Sequence, residues 1–406
     1  MMTSLADIRN EFPALQQHVH GHPLVYLDNA STTQKPRCVL DTIQRSYASE
    51  YANVHRGVHS LSQRATEAYE SVRYEVAEFI NASDPREVIF TAGATSAINL
   101  VAQTLGRSLL GPHDEVLVTE MEHHSNLVPW QVICAERGAR LRVLEIDDKG
   151  DLKLDQLEDV LGKNTRIVAL AHISNTLGTV NPVEHITKAA RRFGARVVVD
   201  GAQAVSHCPV DVQSLGCDFY AFSAHKAYGP SGVGVLWGRL DLLEGLPPWQ
   251  SGGDMVLSVD LAGATYNEVP HRFEAGTPNI VGVVGMGAAL RWIREIGFDS
   301  IMKHEDVLLH AIEDRLGRIG AVRRIGTSSK IRSSVSFLLG DVHAHDVGTI
   351  LDGEGIAVRA GHHCTQPVMD HFDVDATVRA SVAIYNTVEE IDRLADGLKH
   401  TEEVFR

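Results

Sequence analysis

The chain is expected to adopt an α/β fold. A large domain is built on a mainly parallel, mixed sheet with helices on its faces, and a smaller α+β domain follows. Three observations lead there. Short apolar runs alternate with amphipathic stretches through the middle of the chain, as in a parallel sheet whose crossovers are helices. The alternation stops at an irregular stretch marked by Pro247-Pro248 and Gly252-Gly253. A long helical run, about residues 281–296, then leads into a section of different rhythm. The 406 residues suffice for two or three domains. Residues 16–290 are assigned to the large domain. Residues 1–15 and 291–406 are assigned to the small one, on which the segment around Leu5 to Leu15 is expected to pack.

Strands of the large domain are expected at residues 87–90, 115–118, 140–145, 166–170, 196–199, 218–222 and 233–237. Helices are expected at 66–80, where Val72, Val76 and Phe79 share one face, and at 96–105 and 184–193. The small domain reads as a helix over 300–319, strands at 333–338 and 356–359, and a terminal helix from about Val388. There is no internal repeat or low-complexity segment.

Composition narrows the function. Apolar residues make up 44 % and charged residues 22 %, as in ordinary globular proteins. With 37 basic and 52 acidic residues the formal charge is -15, which disfavours nonspecific binding to nucleic acid or anionic membrane. No apolar run is long enough to span a bilayer, and residues 1–9 lack a basic-then-apolar signal pattern. The five cysteines are odd in number and widely spaced, with no CxxC, which points to a reducing cytosol and a cytoplasmic location.

In open α/β sheets, ligands sit beyond the carboxyl ends of the strands. The candidate site residues fall there. The run Val197-Val198-Val199-Asp200-Gly201-Ala202-Gln203 reads as a buried strand ending in an acid. The next strand runs into Ser223-Ala224-His225-Lys226. A lysine after a strand is usually a surface residue. An acid at one strand end and Ser-x-His-Lys at the next together suit pyridoxal 5'-phosphate (PLP). The Lys226 amine condenses with the cofactor aldehyde, Asp200 keeps the pyridine nitrogen protonated, and Ser223 and His225 donate to the phosphate. Thr91-Ala92-Gly93-Ala94-Thr95-Ser96 follows a strand and opens a helix, so free N–H groups and the Thr95 hydroxyl suit a phosphate as well as a plain helix cap. Glu120-Met121-Glu122-His123-His124 offers an imidazole for stacking on the ring, with the choice between His123 and His124 open on the residues alone. Asn175, after another strand, can reach either the cofactor's phenolic oxygen or a substrate carboxylate.

A second reactive centre is Arg359-Ala360-Gly361-His362-His363-Cys364. A structural cysteine normally sits in an apolar run. This one follows two histidines, with an arginine upstream, surroundings that can favour the nucleophilic thiolate. Gly361 suggests a turn or mobile loop that lets the thiol swing towards the cofactor. The alternatives are an inert loop cysteine or a metal ligand, and adjacent residues on extended chain point apart, which speaks against the metal. Arg379 is either a surface charge, as most arginines on such strands are, or a clamp for a carboxylate through two hydrogen bonds. The basic loop Asn53-Val54-His55-Arg56-Gly57-Val58-His59 either approaches the site or is a solvated connection.

Taken together, these segments resemble the group II cysteine desulfurases, also called cysteine desulfurase/selenocysteine lyases, and most of all the SUF-type desulfurases that mobilise sulfur for iron–sulfur cluster assembly. The likeness covers essentially the whole chain. It includes Tyr26-Leu27-Asp28-Asn29-Ala30, Met121-Glu122-His123-His124, Ser223-Ala224-His225-Lys226, Arg272-Phe273-Glu274-Ala275-Gly276-Thr277-Pro278-Asn279 and the Cys364 run. It implies the PLP-dependent transferase fold type I and a homodimer. Lys226 would carry the cofactor, Asp200 would pair with its ring nitrogen, His123 would stack on the ring, and Gln203 would contact the phenolic oxygen. Thr95, Ser223 and His225 would hold the phosphate, helped by Thr277 from a second copy. Asn175 and Arg379 would bind the substrate carboxylate, with Arg359, His55 and Arg56 as further substrate-binding candidates. Cys364 would take sulfur from L-cysteine, leaving L-alanine and a persulfide for a SUF-type acceptor protein. L-selenocysteine would be a second substrate, and no resident metal is implied. Ala94 and Ala224 stand where relatives often carry a hydroxyl residue and glycine. His345, beside His343, is a candidate for engaging an acceptor's metal, against the plainer reading of a polar helix start. Two other functions remain open: a PLP aminotransferase, which leaves Cys364 idle, and a sulfur or metal carrier without catalysis, which leaves Lys226 unexplained.

Overall fold

The computed structural model describes residues 5–406. Its centre is a seven-stranded sheet. In chain order the strands are β1 (Val88–Thr91), β2 (Glu115–Thr119), β3 (Arg140–Leu144), β4 (Thr165–Ala171), β5 (Arg196–Asp200), β6 (Phe219–Ser223) and β7 (Gly234–Gly238). They are ordered β1-β7-β6-β5-β4-β2-β3. Only β7 runs antiparallel, to both of its neighbours, so the sheet is mixed but mainly parallel. The inner strands are buried on both faces, which is why they read as near-continuous apolar runs. Each of the seven lies within a residue or two of its expected span.

Helices cover both faces. Ser60–Phe79 starts six residues before its expected position, with the His59 side chain accepting from the Ser62 N–H as its cap. The helix α1 (Ala94–Val101) follows β1. Gly93 enters it at φ 156°, and a Cβ there would lie 3.3 Å from the Ser223 hydroxyl, so the bare backbone lets the segment after β1 close on the end of β6 past the start of β7 between them. Gly201 is needed for a different reason, because a Cβ there would lie 2.0 Å from the Tyr220 ring.

The long helix α2 (Ile280–Ile296) crosses residue 290, where the domain boundary was drawn, and packs on the helices Arg37–Arg45 and Ser60–Phe79. After it comes α3 (Phe298–Gly317). A second, antiparallel sheet then has the order β8 (Val322–Ile325), β9 (Ser334–Leu339), β11 (Thr377–Ser381), β10 (Arg359–Gly361). Leu308, Ile312, Phe337, Val378, Leu394 and Leu398 build its core, together with Val25 and Leu27 from early in the chain. The strand Val25–Tyr26 pairs in parallel with Ile356–Ala357 and so stitches the two parts together. The terminal helix is Val388–Val404, closed at its start by a Thr387–Glu390 capping box.

The segment 5–15 sits at the seam between the sheets. Phe12 is fully buried, edge-on to Trp292 at 5.4 Å and against Tyr385 at 4.6 Å. Trp292 belongs to α2 and Tyr385 follows β11, so this segment packs on both parts.

Candidate active site

The carboxyl ends of β1, β2, β4, β5 and β6 and the segment after β10 meet at a cavity of about 250 Å³. It is lined by Thr95, His123, Asn175, Asp200, Gln203, Ser223, His225, Lys226, Arg359, Cys364 and Arg379. The amine of residue 226 and the thiol of residue 364, far apart in sequence, therefore share one cleft.

Asp200 ends β5 as a buried carboxylate that accepts the Ala202 N–H at 2.9 Å. Burial pushes its carboxyl up, against that hydrogen bond and the charge of Lys226. Burial, helped by Arg379, lowers the Lys226 amine to about 8 against the attraction of Asp200. An amine poised near neutrality is what condensation with an aldehyde and proton transfer require. Burial also drives His123 down to about 3, with Lys226 next in effect, so its ring is neutral. Its Nδ1 accepts the Ser125 N–H at 3.0 Å, which leaves the proton on Nε2.

At the other end, the Ala94 N–H donates to the Ser223 hydroxyl at 2.7 Å, leaving that hydroxyl's own proton free. Thr95 and Ser125 hydroxyls lie 2.7 Å apart. His225, lowered to about 4 by burial and then by Lys226 and Lys35, is neutral and able to donate. One end of the cleft thus presents hydroxyl, imidazole and helix N-terminal donors, and the other an acid beside an amine. This donor set fits PLP, with its phosphate at the first end and its ring nitrogen and aldehyde at the second.

Arg379 is 2 % exposed. It donates to the Asn175 carbonyl and the Ser31 hydroxyl at 2.8 Å each and to Asp28 at 3.3 Å, while its Nε has no partner. Arg359 is braced by the same two side chains, at 2.5 Å from Ser31 and 3.7 Å from Asp28. Ser31 and Asp28 brace both arginines and were not singled out in the sequence as site residues, although Asp28 lies within the Tyr26–Ala30 motif and Ser31 directly follows it. The Gln203 amide donates to the Ala30 carbonyl at 2.7 Å.

The Cys364 loop, for which Gly361 suggests a turn or a mobile loop, is tied to its surroundings by hydrogen bonds. The Cys364 carbonyl accepts the His124 N–H at 2.8 Å, and the His363 carbonyl accepts from the Asn175 amide at 2.8 Å. Thr365 and Thr176 hydroxyls are 2.5 Å apart, and the Gln366 N–H reaches His124 Nε2 at 3.4 Å. His124, left open against His123 as the stacking residue, is thus a loop anchor. The thiol is exposed. By contrast, burial pushes Cys134 and Cys208 up to about 11 and about 12, which makes them poor nucleophiles.

Three expected residues do not reach this cleft within one chain. His55 is held by Glu70 at 2.9 Å, and Arg56 by Asp254 at 3.0 Å. Both line a second cavity of about 280 Å³, which Gly276 and Pro278 also border, and Thr277 between those two is exposed. His55, Glu70 and His271 bring ligand atoms within 4.8 Å of one another, but Arg73 already donates to both Glu70 oxygens, at 2.8 and 3.0 Å. His343 caps the helix Ala344–Gly353, accepting the His345 N–H at 3.2 Å, as the polar-start reading expected, and His345 is exposed.

Residues 25–394 match the family described as aminotransferase class-V. A cysteine desulfurase of Dickeya dadantii is 50 % identical over 392 residues, covering 96 % of this chain and 95 % of that protein. A probable cysteine desulfurase of Halalkalibacterium halodurans is 49 % identical, covering 98 % of each chain. Among solved structures, the Escherichia coli cysteine desulfurase CsdA aligns with a TM-score of 0.91 at 39 % identity over 99 % of both chains. The apo cysteine desulfurase of Thermococcus onnurineus aligns with a TM-score of 0.92 at 39 % identity, covering 98 % of this chain and 97 % of its own. The chain belongs to the aminotransferase class-V family, whose members depend on PLP. Its full-length relatives are cysteine desulfurases.

Proposed function

We propose that the protein is a PLP-dependent cysteine desulfurase that converts L-cysteine to L-alanine and carries the sulfur on Cys364. The observation that carries this reading is the shared cleft of Lys226 and Cys364. When bound, PLP supplies an electron sink for the substrate's Cα. The chain does the rest. Arg379 and Asn175 hold the substrate carboxylate, with Arg359 at the rim. The Lys226 amine takes the Cα proton and can return it to the product skeleton. Cys364, as thiolate, attacks the substrate sulfur. An S–S bond forms, the substrate C–S bond breaks with its electron pair going to the carbon skeleton, and protonation there yields alanine. The persulfide then passes to an acceptor protein, for which the exposed Cys364 and His345 are suited.

The finer assignments belong to the same proposal. The enzyme works in the cytoplasm as a homodimer in which Thr277, His55 and Arg56 serve the site of a second copy. This is supported by their position on an exposed cavity outside their own cleft. The acceptor is of the SUF type. Selenocysteine is also cleaved, because selenium leaves readily without help from a thiol. The test is to incubate the protein with cysteine, measure alanine and map the persulfide by mass. Lys226→Ala should abolish both cysteine and selenocysteine turnover, and Cys364→Ala should abolish only the first. Equal loss of both in the cysteine variant would overturn the assignment of the nucleophile. Keto-acid-dependent amino transfer without sulfur release would establish the aminotransferase alternative instead.

A further inference from the structure

Glu122 is a buried carboxyl for which this chemistry has no use. It is 1 % exposed, on the turn between β2 and His123. Its Oε1 accepts the Thr119 hydroxyl at 2.5 Å and the Ala171 N–H at 2.9 Å, and its Oε2 accepts from the Asn126 amide at 2.6 Å. Asn126 cannot turn round, because its carbonyl oxygen accepts the Trp130 indole N–H at 3.1 Å. Donors from three separate segments therefore converge on one side chain: the end of β2, the end of β4, and the turn that carries His123. Ala171 is also the register partner of Asp200. Burial, and then the Asp200 charge, push the Glu122 carboxyl up to about 8 against the pull of these three hydrogen bonds, which are what favour its ionised form.

We propose that Glu122 is a positioning residue for the cofactor ring: by tying the His123 turn to the strand beside Asp200, it fixes the spacing of the two groups between which the ring is seated. This rests on the reading above that His123 lies over the ring and Asp200 at its nitrogen. A glutamine at 122 would keep the shape but set an NH2 group against the NH2 of Asn126. In the double variant E122Q/N126D an acceptor again faces that amide, and Trp130 keeps its partner. The network is then restored with the carboxylate moved one side chain away.

The test compares the parent with E122Q, E122Q/N126D, Thr119→Val and His123→Ala. It reads the induced circular dichroism of bound PLP, the Kd of the apoenzyme for PLP, and kcat and KM for cysteine. E122Q is expected to weaken the dichroism and PLP binding and to lower kcat roughly tenfold, with KM within about twofold. The double variant should recover most of this, and Thr119→Val should show a smaller loss in the same direction. If the double variant is no better than E122Q, or if E122Q matches the parent while His123→Ala changes the dichroism, this inference is overturned and the site reading stands. If His123→Ala leaves the dichroism unchanged, the ring does not lie against His123, and both fall. Should E122Q fail to fold, Thr119→Val decides: an unchanged dichroism and kcat overturn the inference.

Discussion

The Cys364 loop is held against its own backbone strain, and a single hydroxyl should decide whether it stays. His363 and Cys364 both lie in the left-handed region, at φ 50° and 58°. For residues with a Cβ this costs about 1–2 kcal/mol each, or roughly 2–4 kcal/mol together. Against it stand the four tethers to His124, Asn175 and Thr176. At about 1 kcal/mol each, roughly 4 kcal/mol together, they match or exceed the strain. Thr365 stands at the hinge of this balance. Its hydroxyl donates to the His362 carbonyl at 3.0 Å and meets Thr176 at 2.5 Å. Thr365→Val keeps the shape and loses both bonds, about 2 kcal/mol, which moves the equilibrium roughly thirtyfold towards a released loop. Cysteine desulfuration should then fall by roughly tenfold or more, while alkylation of Cys364 by a small thiol reagent speeds up. Selenocysteine turnover should change little. The assays are alanine formation, persulfide mapping and the alkylation rate. Unchanged desulfuration together with an unchanged alkylation rate would show that the tethers do not set the position of the thiol.

Arg379→Lys should raise KM for cysteine roughly tenfold or more, because an ammonium cannot replace a guanidinium that already serves Asn175, Ser31 and Asp28; an unchanged KM would remove Arg379 from the carboxylate site. Burial lowers His123 to about 3, His172 to about 4, His225 to about 4 and His363 to about 2, so below about pH 6.5 the unfolded chain binds protons that the folded chain refuses. Stability should therefore fall as pH drops from 6.5 to 5, and a flat Tm across that window in thermal melts would contradict the neutral state of these rings. Phe12→Ala should cost about 3–5 kcal/mol in urea unfolding, since the ring is fully buried between Trp292 and Tyr385; a loss under about 1 kcal/mol would mean that the seam does not depend on it.

What was legible in the sequence follows from how each feature is stabilised. The seven strands could be read because strands buried on both faces need unbroken apolar runs, and the polar residues that interrupt them, such as Asp200 and the Ser223–Lys226 group, stand where the sheet ends and a ligand begins. The hairpin Val256–Val259 with Ala264–Tyr266 was not read, although Leu257-Ser258-Val259-Asp260 alternates, because its strands of four and three residues are too short for the pattern to stand out. The anchors of Cys364 were invisible for another reason. Two of the four end on the carbonyls of His363 and Cys364, and any residue type supplies a carbonyl. Glu122 lies between these cases. Its position at a strand end was plain, but its role depends on donors from residues 119, 126 and 171, whose convergence exists only once β2 and β4 pair side by side. Motifs thus identify the groups that line the cleft, while the geometry that holds those groups is fixed by backbone atoms and buried polar partners that carry no motif. The amine and thiol that share the cleft were therefore picked out by the motifs around them, the thiol beside the readings of an inert loop cysteine or a metal ligand, and the parts that hold them in place were not.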